Sequence, residues 1–119
     1  MSRIWDTATV KLAAFHPKAL TVIRSFSRDV RREIGKVVFD LQAGVKLTMP
    51  LSRSMPTVAV GAHELRIRDR SGIYRVFYYT KLANSVLIFH AVTKKSQKTP
   101  QHEIALARER LKEMLDEER

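Results

Sequence analysis

Basic side chains cluster in the middle of the chain, where their spacing suits the binding of a phosphate group. Arg66 and Arg68 stand two residues apart in a stretch that alternates polar and apolar residues, so on a β-strand both project from one face. Arg75 follows across the turn Asp69–Gly72, which also contains Arg70. A later apolar stretch ends in three further cations, Lys94, Lys95 and Lys98. Whether all these cations converge depends on strand register.

A concave face carrying such charges binds a phosphodiester and stabilises the charge that develops at phosphorus during transfer. RNA fits this chemistry because its 2′-hydroxyl supplies an internal nucleophile without a metal ion. The remaining requirement is a general acid and a general base. Clustered positive charge lowers the pKa of a neighbouring lysine or histidine, which lets it accept a proton near neutral pH.

Two candidates also have a purely structural interpretation. His90 lies inside an apolar strand, where a histidine is also explained as a buried group bonded to a backbone carbonyl. Tyr74 is a candidate for stacking on an RNA base, and it is equally explained as part of the core. We assign Arg66, Arg68, Arg75, Lys94, Lys95 and His90 to catalysis, and Lys98, Tyr74 and Arg70 to RNA binding.

The sequence lacks the residues that several other types of catalysis require. The chain has no cysteine, and its four histidines, His16, His63, His90 and His102, show no metal-ligand spacing. It has no glycine-rich phosphate loop. Metal-dependent hydrolysis and nucleoside triphosphate chemistry are therefore disfavoured, and we predict no cofactor and no metal.

Length and charge limit the architecture and the partner. A chain of 119 residues is expected to form a single domain spanning 1–119. The net charge of +10 is uneven, since residues 64–99 carry a net +6 and residues 100–119 a net −2. This distribution favours a polyanionic partner for the middle of the chain. No apolar run approaches the roughly 18 residues of a membrane span, so we expect a cytoplasmic protein that contacts no membrane.

The pattern of apolar residues predicts an α+β fold with helices packed on one small antiparallel sheet. We expect a first strand at 9–15, helices at 17–25 and from Ser27 to Gly44, and a loop at 45–62. Strands follow at 63–69, 73–80 and 86–92, the last nearly all apolar, as is typical of a strand covered on both faces. A basic loop at 93–98 leads to a C-terminal helix at about 100–118, with Thr99 as its N-cap and Pro100 at its first position.

Three motifs together resemble the HigB branch of the RelE/ParE toxin superfamily, and in particular its phage-derived, HigB-like members. They are Glu64-Leu-Arg-Ile-Arg68, Ser71-Gly-Ile-Tyr-Arg-Val76 and His90-Ala-Val-Thr-Lys-Lys-Ser-Gln-Lys-Thr-Pro100. The similarity covers most of residues 13–115, and about 1–12 look like an N-terminal extension.

The resemblance implies a RelE-like fold and ribosome-dependent cleavage of mRNA in the A site, which inhibits translation. It also implies a helix-turn-helix antitoxin of the HigA kind, with which the toxin binds operator DNA. By the same resemblance, Arg75 matches the arginine that contacts the scissile phosphate. We expect Arg75→Ala to lower toxicity while leaving the fold intact.

The resemblance leaves the proton acceptor open, and the candidates for this role are Lys94, Lys95, His90 and Arg68. Some family members carry a catalytic tyrosine or histidine near the C-terminus, but this chain has no tyrosine after Tyr79 and only His102 late in the sequence. Two other functions also stay open: a ParE-like inhibitor of DNA gyrase, and a nucleic-acid-binding module without catalysis. The same charges bind phosphate whether or not they cleave it.

Overall fold

Three helices and five strands form the part of the chain that the computed structural model describes, residues 10–94 and 99–118. In chain order they are β1 (Leu12–Phe15), α1 (Pro17–Arg24), α2 (Arg28–Gln42), β2 (Ser52–Ser54), β3 (Ala62–Asp69), β4 (Gly72–Tyr79), β5 (Ser85–Lys94) and α3 (Gln101–Glu117). The predicted α+β fold, with two N-terminal helices, a small sheet and a C-terminal helix, is confirmed. None of these helices is long and apolar enough to cross a membrane.

The sheet has the strand order β1-β5-β4-β3-β2 and is mixed. Strands β2 to β5 pair antiparallel, whereas β1 pairs parallel with β5, with Leu12 opposite Ser85. The prediction of a wholly antiparallel sheet is therefore wrong at this edge. A local apolar pattern does not reveal the direction of a partner that lies far along the chain, because strand pairing is decided by tertiary packing.

Strand β2 lies within 45–62, the segment predicted to be a loop. Its three residues, Ser52–Ser54, pair with His63–Leu65 of β3. Three residues are too few to show a period of two, so the sequence pattern could not reveal this strand.

The two faces of the sheet are covered by different helices. On one face α1 and α2 bury an apolar cluster that includes Val30, Ile34, Leu65 and Val76. On the other face α3 buries a second cluster that includes Phe77, Phe89, Ala107 and Leu111. Strand β5 contributes to both clusters, which explains its nearly continuous apolar sequence.

The N-terminus of α2 has its predicted cap, and the N-terminus of α3 does not. Ser27 caps α2 as predicted, its hydroxyl accepting a hydrogen bond from the amide of Val30 at 3.3 Å. The predicted cap of α3 is wrong: Pro100 is the N-cap, and no side chain caps this helix. Thr99 instead turns its hydroxyl toward Glu64, where a buried carboxylate offers a stronger acceptor.

Candidate functional site

The β3–β4 hairpin brings two of the predicted arginines together. Arg66 lies directly opposite Arg75, so their side chains share one face of the sheet. Arg68 projects from the same face, two residues after Arg66 and opposite Ile73. This is the face that α3 covers. The predicted convergence of the strand arginines is therefore confirmed for Arg66 and Arg75. Arg75, however, is buried rather than exposed as expected.

Glu64 is the centre of the arginine cluster. Its Oε2 accepts hydrogen bonds from Arg75 Nη1 at 3.0 Å and from the Thr99 hydroxyl at 3.2 Å. Arg66 Nε lies 3.7 Å from Oε1. The side chains of Glu64 and Arg75 are both 0% exposed. A charge buried this deeply requires an opposite charge and hydrogen bonds, and here the carboxylate supplies them.

Arg53 joins the cluster from the unpredicted strand β2. It lies opposite Glu64 in the β2–β3 ladder, and its Nε donates to Glu64 Oε1 at 3.2 Å. Its side chain is 35% exposed. Sequence reasoning missed Arg53 because no motif marks it. The only available signal was its position in a segment short enough to fold back along β3.

Three guanidinium groups around one carboxylate leave a net formal charge of +2 in the cluster. Arg53 and Arg66 border a groove of about 430 Å³. The groove is further lined by Ser54, Met55, Pro56, Thr57, Thr99 and Ile104. Burial, and then the charge of Arg75, lower the pKa of Arg66 below its usual value. The groove therefore combines excess positive charge with hydroxyl groups at its wall, which suits a phosphate group.

Arg75 does not occupy the open position that the sequence suggested. The expectation of an exposed cationic face including Arg75 is wrong, because its side chain is enclosed and held by Glu64. Arg53 and Arg66 are the members of the cluster that reach the groove. Arg68 is exposed. In this arrangement the charge of Arg75 neutralises Glu64. The positive charges of Arg53 and Arg66 are therefore not balanced within the cluster.

Arg70 is exposed in the turn that joins β3 to β4. Asp69 fixes this turn by accepting hydrogen bonds from the amide and hydroxyl of Ser71, at 2.8 and 2.7 Å. The Ser71 hydroxyl is the main cause of a lowered pKa at Asp69. The turn thus presents Arg70 to solvent from a defined position.

Tyr74 lies on the opposite face of the sheet from the arginines. Its ring is buried under α2 and packs edge-on against Phe26, with ring centroids 4.8 Å apart. Its hydroxyl is hydrogen-bonded to that of Ser71. The prediction that Tyr74 stacks on an RNA base is therefore wrong. Alternation along β4 puts it in the core as soon as Arg75 faces α3.

His90 is also enclosed, beneath α3. Its Nδ1 accepts from Arg110 Nη1 at 2.8 Å, and arginine is only a donor, so Nε2 carries the proton and donates to Glu103 Oε1 at 2.6 Å. Both ring nitrogens are therefore engaged, and the side chain is buried. The structure contradicts a solvent-facing proton acceptor at His90. It also replaces the expected backbone carbonyl partner with two side chains of α3.

Of the three predicted lysines, the structure describes the backbone position of Lys94. Lys94 ends β5, opposite Ile73, which puts its backbone beside the β3–β4 turn. Lys95 and Lys98 lie outside the described residues. The segment that holds them begins after Lys94 and ends before Thr99, whose hydroxyl contacts Glu64. Within 10–94 and 99–118, no three His, Cys, Asp or Glu side chains gather as metal ligands would.

The fold of this chain is similar to that of a solved toxin structure. The chain superimposes on the structure of a double arginine-to-alanine mutant of the E. coli toxin RelE in the free state, with a TM-score of 0.55 and 19% sequence identity. The match covers 88% of this chain and 98% of the other. The fold is thus RelE-like, as expected from the motifs.

The family follows from the sequence itself. Residues 21–112 match the profile of the family described as "Phage derived protein Gp49-like (DUF891)", and the chain belongs to this family. No curated protein matched the sequence. The resemblance to the RelE toxin superfamily is confirmed at the level of the fold, and the closer assignment to the HigB branch stays a prediction.

Proposed function

We propose that this protein is the toxin of a type II toxin–antitoxin system and that it cleaves mRNA on the ribosome. The observation that carries the proposal is the groove beside Glu64, which Arg53 and Arg66 line with excess positive charge. Family membership and the RelE-like fold support the same class of protein. The requirement for the ribosome and the HigB-like character rest on the sequence motifs.

The groove would bind one phosphodiester through its accessible guanidinium groups. Arg53 and Arg66 lie at its wall, and the exposed Arg68 extends the positive surface along β3. Guanidinium groups offer paired donors that match the oxygens of a phosphate. Because they are held in place before substrate arrives, they can stabilise the added negative charge of the transition state.

Cleavage would use the RNA itself as the nucleophile. The 2′-oxygen loses its proton to a base and attacks phosphorus, and the 5′-oxygen leaves and takes up a proton, which yields a 2′,3′-cyclic phosphate and a 5′-hydroxyl. With His90 enclosed by Glu103 and Arg110, we propose Lys94 or Lys95 as the proton acceptor. Lys98 and Arg70 would contact flanking phosphates. Arg75 would act by holding Glu64 rather than by touching RNA.

The partners follow from the same proposal. A helix-turn-helix antitoxin of the HigA kind would neutralise the toxin, and the pair would bind operator DNA. The mRNA in the ribosomal A site would be the substrate, and the cytoplasm the place of action. No cofactor is required by this reaction.

Induced expression without antitoxin, followed by mapping of mRNA 5′ ends, tests the proposal. We expect growth arrest and new cuts in translated regions, lost when translation is blocked. Arg68→Gln should lower cleavage by about tenfold, the effect of losing one charged hydrogen bond. Its exposure leaves folding intact. Lys112→Gln removes an exposed charge from α3 and should cleave normally.

Two other outcomes would overturn the proposal. Growth arrest with intact mRNA and altered DNA supercoiling would identify a gyrase inhibitor. No arrest, together with RNA binding that Arg68→Gln weakens, would identify a binding module without catalysis.

A further inference from the structure

The outward face of α2 carries a stripe that the fold does not use. Its members recur at intervals of four, three and four residues, the spacing of a seam along which another helix packs. They are Arg28, Arg32, Gly35 and Phe39. All are exposed, and the buried residues of α2, such as Ile34 and Leu41, lie on the opposite side. We call these four residues the α2 stripe.

Gly35 has no intramolecular role in the part of the chain that the structure describes. It lies in the middle of a 15-residue helix. A Cβ added there would meet nothing within 4 Å. Glycine weakens a helix relative to alanine, because it loses more conformational freedom on folding. Gly35 therefore leaves a shallow notch in an exposed helix face and lowers the stability of the helix.

Phe39 lies one turn beyond the notch, with 68% of its surface exposed. A large apolar side chain in water beside a notch is the kind of feature found at protein interfaces. The N-terminal half of the stripe is basic, through Arg28 and Arg32, with Lys36 at its border. The acidic residues of α2 lie along one flank, where Glu33 approaches Lys36 at 4.0 Å.

We propose that the α2 stripe is the docking site of an acidic amphipathic helix supplied by a protein partner. Carboxylates of the partner would face Arg28 and Arg32, and a large apolar side chain would enter the notch at Gly35 and contact Phe39. Charge complementarity and the helix-packing spacing select this occupant. An RNA backbone would match the arginines but would not require the missing Cβ at Gly35.

Under the proposed function this partner is the antitoxin. The identity of the partner therefore rests on the proposed function. The stripe lies on α2, whereas the arginine groove opens on the α3 face of the sheet. Changes in the stripe therefore alter docking without touching the residues assigned to RNA.

The test measures the affinity of the purified antitoxin, encoded beside the toxin gene, for toxin variants by calorimetry. Gly35→Gln, Phe39→Asp and Arg32→Glu should each weaken binding by about tenfold or more, as substitutions at an interface centre do. Gly35→Gln should at the same time raise the melting temperature of the free toxin. Val60→Asp, at a residue 76% exposed, and Lys112→Glu on α3 are matched controls that should bind normally.

Growth arrest by the same variants, expressed alone, separates the docking site from the toxin activity. Arrest should equal that of the wild type while protection by the antitoxin is lost. Antitoxin affinities within twofold of the wild type for all three variants would overturn the docking site. Reduced mRNA cleavage with unchanged antitoxin affinity would also overturn it and would identify an RNA contact. Absence of arrest by the wild type would refute the proposed function, and calorimetry would still decide whether the stripe binds.

Discussion

The buried pair of Glu64 and Arg75 makes a quantitative prediction about stability. Both side chains are 0% exposed, and Arg75 Nη1 lies 3.0 Å from Glu64 Oε2. Removing Glu64 leaves Arg75 as a buried charge, and removing Arg75 leaves Glu64 with the partly exposed Arg53 and Arg66 as ion-pair partners. The loss of one member of a buried ion pair costs about 3–5 kcal/mol. We therefore expect Glu64→Gln and Arg75→Met each to lower the free energy of unfolding by about 3 kcal/mol.

The double variant separates the pair from its surroundings. With both charges gone, neither member of the fully enclosed pair is left as an uncompensated charge, although Arg66 still loses its carboxylate. The double variant should therefore lose about 3 kcal/mol rather than the roughly 6 kcal/mol of the summed single effects. Arg53→Gln is the matched control. Its side chain is 35% exposed, and removal of such a partner should cost less than about 1 kcal/mol.

Equilibrium unfolding in urea at neutral pH measures all four variants. Single effects below about 1 kcal/mol that add without coupling would refute the argument, because they would show that Glu64 and Arg75 are not held as a desolvated pair. The same result bears on the expectation for Arg75→Ala. If Arg75→Ala loses both toxicity and stability, the loss of toxicity does not show that Arg75 contacts a phosphate of the RNA.

Three further predictions concern residues that the structure places away from the groove. Tyr74→Phe should keep full mRNA cleavage, since its ring faces α2, and a loss of cleavage would contradict this placement. His90→Gln should lower the melting temperature measured by circular dichroism, because it disrupts the contacts with α3; unchanged stability would refute a structural role. Burial lowers the pKa of His63 below its ordinary value of 6.5, so its protonation opposes folding. Its contribution to stability should be complete above pH 6.5 and decline as the pH falls, and an NMR titration midpoint above 6.5 would contradict this.

Short sequence patterns were sufficient to predict the β3–β4 hairpin and helix α2, because the residues that define them lie close together in the chain. The turn Asp69–Gly72 and the alternation on either side of it predicted the β3–β4 hairpin, and the hairpin alone places Arg66 opposite Arg75. The apolar stripe of α2 and its cap at Ser27 were equally local.

The errors share one physical cause. The burial of Arg75 depends on Glu64, Thr99 and the covering helix α3 together, and no short stretch of sequence contains all three. Arg53 was missed for the same reason, since only the pairing of β2 with β3 brings it to the cluster. The cationic character of the candidate site was therefore predictable, whereas the exposure of each arginine was a tertiary property.

The parallel pairing of β1 with β5 has a consequence for how a nascent chain acquires its site. Synthesis proceeds from the N-terminus, so β1 leaves the ribosome well before β5, the strand with which it pairs. The groove is completed later still, when Thr99 and Ile104 emerge and reach its wall. Contacts between residues so distant in sequence form slowly. Under the proposed function, a translating ribosome is thus not exposed to an assembled site on the chain that it is still making.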